Sequence, residues 1–151
     1  MRRVLVFAVL ALATILAGCG GGGGDDRLSK EEFIAEADAI CKQANEQIDA
    51  LGEPTLENID EYLADAEAIS REQLGQLRAL KPPAADEATL NGAYDLIEQQ
   101  IALAADGVEA LKSGDQAAFE QVNAQITTIE AEADQIARDY GLQECGKEGG
   151  N

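Results

Sequence analysis

The stretch Phe119-Glu-Gln-Val122-Asn-Ala-Gln-Ile126-Thr-Thr-Ile129-Glu-Ala-Glu-Ala133-Asp-Gln-Ile136-Ala-Arg-Asp-Tyr140 decides the fold. Its apolar positions recur in unbroken alternation of three and four. That spacing puts one continuous stripe on an α-helix and matches left-handed, nearly parallel helix packing. Gly141 followed by Leu142 ends it as a Schellman motif, with Leu142 packing back on the last turn. Upstream, Leu90, Tyr94, Ile97, Ile101, Ala104, Val108 and Leu111 repeat the pattern. Ser113-Gly114-Asp115 is the turn between the two helices, with Asp115 as N-cap.

Further toward the N-terminus, Ser29-Lys30-Glu31-Glu32 is a capping box, with Leu28 and Phe33 as its hydrophobic staple. The seam behind it is Ile34, Ala37, Cys41, Ala44, Ile48 and Leu51. Gly52 suits a helix end, and Pro54 prevents continuation. A second helix starts at Thr55 or at Asn58, where Asn58-Ile59-Asp60-Glu61 offers another box. Its seam Leu56, Ile59, Leu63, Ala66 reaches the polar Ser70 and Gln73 before Leu77 and Leu80, and Ile69 and Leu74 flank the interruption. The buried face therefore rotates there, and Pro82-Pro83 ends the helix. All three prolines fall between helices and no segment alternates with period two. The expected fold is all-α: an antiparallel up-down-up-down four-helix bundle over residues 29–145, followed by a disordered tail at 146–151. Its Ile, Leu and Ala seams hold few aromatics, which predicts close helices and little internal space.

Composition narrows the chemistry. The 151 residues include no His and no Trp, and Met1 is the single methionine. Absence of His removes Ser–His–Asp and Cys–His nucleophiles, His-ligated zinc or copper, and Glu-x-x-His di-iron sites. The 29 acidic side chains form clusters at Asp60, Glu61, Asp65 and Glu67, and at Glu130, Glu132 and Asp134. Paired-carboxylate catalysis needs one carboxyl in an apolar pocket opposite another. These acids lie off the seams, Glu67 and Glu130 flanking them, so solvated helix faces explain them better. No D-x-D-x-D-G calcium loop is present, and Gly20 to Gly24 has neither the strand nor the Lys-Ser/Thr of a phosphate loop. Ser70 and Gln73, polar on a seam, either line a small ligand pocket or set helix register. Tyr94 and Tyr140 belong to the core, whereas Tyr62 flanks a seam and is a candidate partner contact.

The first residues read as an address. Met1-Arg2-Arg3 is a positive n-region, and Val4 to Ile15 an apolar run interrupted only by Thr14. It is too short for the roughly 20 residues of a spanning helix and fits a signal-peptide h-region. Leu16-Ala17-Gly18-Cys19 resembles the lipobox of bacterial lipoproteins. The resemblance implies cleavage of residues 1–18 as a signal peptide and a covalent lipid on Cys19, with no other cofactor expected. An ordinary secretory signal is the alternative. Residues 19–28 would form a Gly-rich tether of about 16 Å mean reach. The mature chain would keep 9 basic and 29 acidic groups, net −20. Such a body is repelled by anionic lipid surfaces and by nucleic acid, so its membrane link is the lipid. A cationic ligand or another envelope protein fits as partner. The expected location is the extracytoplasmic face of the cell membrane, or an outer membrane where the cell has two.

Cys41 and Cys145 remain as an even pair in an oxidising compartment, which reads as a disulfide. Cys41 lies some twelve residues, about 18 Å, into the first helix, so the segment from Leu142 to Cys145 must fold back along it. An unpaired buried Cys41 with a stray tail thiol is the alternative. Ala-Asp-Ala-Ile-Cys41, Pro82-Pro83 and Tyr140-Gly141-Leu142 before Cys145 together resemble small helical secreted proteins of actinobacteria, a resemblance that implies the paired disulfide and no activity. The functional expectation is a lipid-anchored binding or interaction module without enzymatic activity. A small-ligand carrier with a bundle-core pocket and a carboxylate-dependent envelope hydrolase are its alternatives.

Overall fold

The computed structural model describes residues 26–147. The expected signal peptide at 1–18, the expected lipid site Cys19, Gly20 to Gly24 and residues 148–151 lie outside the described residues. Four helices follow in order: α1 (Lys30–Leu51), α2 (Ile59–Ala79), α3 (Glu87–Ser113) and α4 (Gln116–Tyr140). There is no strand among the described residues.

Local chemistry sets the boundaries. The Ser29 side chain accepts the Glu32 N–H while the Glu32 carboxylate accepts the Ser29 N–H, completing the capping box of α1. That bond to the ionised carboxyl holds Glu32 below the usual carboxylate range. Gly52, at φ 75°, closes the helix. Gly114, at φ 74°, begins a double-duty turn. Asp115 N–H returns to the Ala110 carbonyl, and the Asp115 carboxylate accepts the Ala118 N–H as cap of α4. At the far end Gly141 donates to Arg138 and Leu142 to Ala137, the paired bonds of a Schellman motif. The second capping box does not form. Asn58 precedes α2, but its Oδ1 turns back to accept the Thr55 N–H and hydroxyl, because residues 55–58 make their own turn. Leu56 therefore leaves the seam and stands 70% exposed.

The core sits at one end. Phe33, Cys41 and Leu90 are its most buried large side chains, joined by Leu74, Leu77, Tyr94, Tyr140 and Leu142. Phe33 meets Tyr140 edge-on at 5.7 Å, and the Lys30 ammonium lies 4.4 Å from the Tyr140 ring centre. On α2 the buried face passes to Leu74 where the seam turns polar. α3 and α4 approach most closely: a Cβ added at Gly107 would lie 3.4 Å from Val122 Cγ1. α1 and α4 make no comparable backbone approach among the described residues and meet through side chains and the C-terminal segment.

Residues beyond both the first and the last helix join the folded body. Leu28 N–H donates to the Lys81 carbonyl, and the Arg27 guanidinium bonds the Pro82 carbonyl and Glu87. Arg27 and Leu28, expected in the tether, are therefore held against the α2–α3 connection. Gly146, expected in the loose tail, is buried, and its carbonyl accepts from Arg138.

Candidate functional site

The interior is not filled. A cleft of about 320 Å³ runs between the helices. Residues of all four helices and of the C-terminal segment line it, which corrects the expectation of little internal space. The physical reason lies in where the bulk is placed. Phe33, Leu77, Leu90, Tyr94 and Tyr140 pack at one end and set the spacing of the helices. Beyond them the facing positions are Ala66 on α2, Ala104 on α3 and Ala133 on α4. Alanine brings helices together only if they are free to approach. Once larger residues hold them apart, it leaves volume.

Ser70 and Gln73 line this cleft, together with Gln100 of α3. The Ser70 hydroxyl donates to the Ala66 carbonyl one turn back at 2.8 Å, which commits its proton and leaves the oxygen as an acceptor. Gln73 Nε2 donates to the sulfur of Cys41 at 3.2 Å. Glu67 and Glu130, which flank the seams in sequence, also line the cleft and are half-buried. Glu67 is held by Arg71 at 2.7 Å. Tyr62 is half-buried on α2 and lies outside the cleft lining.

One wall belongs to the segment after α4. Cys41 and Cys145 form a disulfide with Cα atoms 5.1 Å apart, and the segment from Leu142 folds back along α1 to reach it. Asp38, one turn before Cys41, holds the fold-back in place. Its carboxylate accepts the N–H groups of Gln143 at 2.9 Å and Glu144 at 2.8 Å, with Cys145 N–H at 3.4 Å. Asn45 donates to the Glu144 carbonyl. Sequence reading missed Asp38, one acid among many. Its position three residues before a half-cystine on the same helical face was the available signal.

Two core tyrosines are tied into the packed end, Tyr94 lining the cleft as well. Tyr140 donates to Asp86 at 2.9 Å, and Tyr94 Oη lies 3.5 Å from the Leu77 carbonyl. Burial pushes the Tyr94 hydroxyl up to about 12, with Arg78 opposing. Burial also raises Tyr140, and the hydrogen bond to the Asp86 carboxylate adds to it. Neither hydroxyl is poised to give up a proton near neutrality. Among the described residues no group of three His, Cys, Asp or Glu is placed to hold a metal ion, and no helix is long and apolar enough to cross a membrane.

No family model, curated protein or solved structure matches the chain.

Proposed function

We propose that this chain is a lipid-anchored, extracytoplasmic binding protein that holds a small, largely apolar ligand in its interior cleft and performs no chemistry on it. The observation that carries the reading is the cleft itself. Its volume lies at the small end of ligand pockets, roughly 300–1,000 Å³. About half of its lining residues are Ala, Leu and Ile, and polar groups from all four helices and the C-terminal segment stand among them. That combination suits a ligand site, with apolar surface for affinity and polar groups for orientation.

An up-down-up-down course of the helices belongs to the same proposal. The Leu28–Lys81 and Tyr140–Asp86 bonds at one end and the Lys112–Asp60 ion pair at 2.6 Å support it. The course puts the start of α1, the α2–α3 connection and the end of α4 together, next to the tether. In this arrangement the packed end faces the membrane and the cleft opens above it. Lipidation at Cys19 rests on the lipobox resemblance and places the protein on the outer side of the cell membrane.

Two experiments test the proposal. Titration of the full chain with N-phenylnaphthylamine, whose emission rises in apolar surroundings, is expected to saturate at one site. A response that never saturates would overturn the cleft as a ligand site. Replacing Cys19 by Ser is expected to release the protein from the membrane fraction, and continued membrane association would refute the anchor.

A further inference from the structure

We infer that the ligand is a lipophilic cation: an apolar body carrying a primary or secondary ammonium group. The inference rests on the cleft being a ligand site and adds what its polar groups select.

The selection follows from which hydrogen-bonding capacity remains after the protein has used its own. Ser70 spends its proton on the Ala66 carbonyl, so toward the cleft it is an acceptor. Gln73 spends one amide hydrogen on the Cys41 sulfur, which leaves its carbonyl oxygen and its second N–H without a protein partner. Glu67 and Glu130 add carboxylates, which are acceptors alone when ionised. Glu130 makes no ion pair or hydrogen bond with another described residue, in contrast to Glu67, which Arg71 already holds. The one lysine among the lining residues, Lys147, is engaged with Glu144. Beside the neutral amides of Gln73 and Gln100, the cleft therefore offers acceptors and a carboxylate at Glu130 that no unpaired lysine among its lining residues balances.

Three classes of apolar ligand can be compared on this ground. A carboxylate or phosphate head would meet the like charge of the carboxylates, with neutral amide N–H groups of Gln73 and Gln100 as donors. An alcohol could satisfy one acceptor. An ammonium supplies several donors together with the opposite charge, and charge-assisted hydrogen bonds are roughly twice as strong as neutral ones. The field of the whole molecule acts in the same direction, because 29 acidic groups against 11 basic ones concentrate cations near the surface. The volume of about 320 Å³ accommodates a single alkyl chain or a compact ring system.

The test uses three probes with one apolar body: octylamine, octanol and octanoate. Each is titrated by calorimetry into the full chain at neutral pH with the disulfide intact. The expected order is octylamine tightest, by about tenfold over octanol, with octanoate weakest. In Glu130→Gln the preference for the amine over the alcohol is expected to shrink by about threefold or more, while octanol still binds saturably and an unchanged urea midpoint shows that the fold is intact. Equal binding of all three, or preference for octanoate, would overturn the cation inference and leave the apolar site standing. A Glu130→Gln chain that keeps the full preference would overturn the role of that carboxylate. Failure of all three probes to bind would overturn the ligand site itself.

Discussion

The Asp38 carboxylate sits 2.8 Å from the backbone nitrogen of Glu144, across 106 residues of sequence, and one turn further along α1 Cys41 bonds covalently to Cys145. The two links act on the same short segment but differ in kind. The disulfide fixes how far the segment can stray, whereas the carboxylate fixes its backbone conformation by receiving consecutive N–H groups that would otherwise lack partners.

That division predicts graded effects at Asp38. Asp38→Ala is expected to lower stability by about 1–3 kcal/mol, the range for losing hydrogen bonds to a charged group. Asp38→Asn, which keeps one oxygen acceptor, should lose about half of that. Urea unfolding with the disulfide intact gives the magnitude. Amide exchange at Gln143, Glu144 and Cys145 gives the location, since protection there should fall first. Unchanged exchange in Asp38→Ala would show that the disulfide alone orders the segment.

Reduction of the disulfide should cost more. The bond closes a loop across a sequence separation of 104 residues, for which the chain-entropy account gives about 4–5 kcal/mol. Cys41 is 1% exposed, so the thiol left by reduction stays in the core and the loss reflects the unfolded chain. Comparing urea midpoints of oxidised and reduced protein measures it. Alkylation without reductant should label neither Cys41 nor Cys145.

At the packed end, Phe33 is fully buried and meets Tyr140 edge-on. Phe33→Ala is expected to cost about 3–5 kcal/mol, the range for truncating a buried aromatic. Phe33→Leu should cost less because it keeps most of the volume. Since this residue also helps space the helices, the alanine variant should change probe binding in the cleft as well as the urea midpoint.

The tyrosines make the fold sensitive to alkali. In the unfolded chain a tyrosine ionises near 10, while burial pushes Tyr94 up to about 12 and also raises Tyr140. The unfolded state therefore gives up these protons first. The stabilisation from keeping the hydroxyls neutral is complete below about pH 10 and is lost as pH rises toward 12. Urea midpoints should fall through that window, and Tyr94→Phe should flatten part of the fall. A midpoint that does not move between pH 10 and 12 would contradict the burial of these hydroxyls.

Sequence carried the helices and the disulfide because both follow from local rules. The capping box at Ser29, the glycines at 52, 114 and 141, and the three-four seams depend only on near neighbours. The pairing of Cys41 with Cys145 follows from there being two candidate thiols in a chain whose first residues read as an export signal. The cleft was not legible, because its volume depends on helix separation, which distant side chains set. Ala66 and Ala133 read as close-packing residues until Phe33 and Tyr140 are seen to hold the helices apart. The clue that did survive in sequence was the break of the α2 seam at Ser70 and Gln73, both of which the cleft exposes to its interior.

Filling that volume separates ligand binding from stability. Ala66 is half-buried and lines the cleft. In Ala66→Leu the added methyl groups enter space that is already apolar, on a helix where leucine is nearly as favourable as alanine. Stability is therefore expected to hold or to rise by up to about 1 kcal/mol, as cavity-filling substitutions do. Saturable binding of N-phenylnaphthylamine should fall by about tenfold or more, because the lost volume is the ligand's. Ala124→Leu, on α4 away from this cleft, is the control and should leave binding unchanged. Parallel urea and fluorescence titrations on the two variants read both quantities. Loss of stability together with loss of binding would indicate that residue 66 packs against protein, whereas binding that survives with higher stability would move the ligand to another part of the interior.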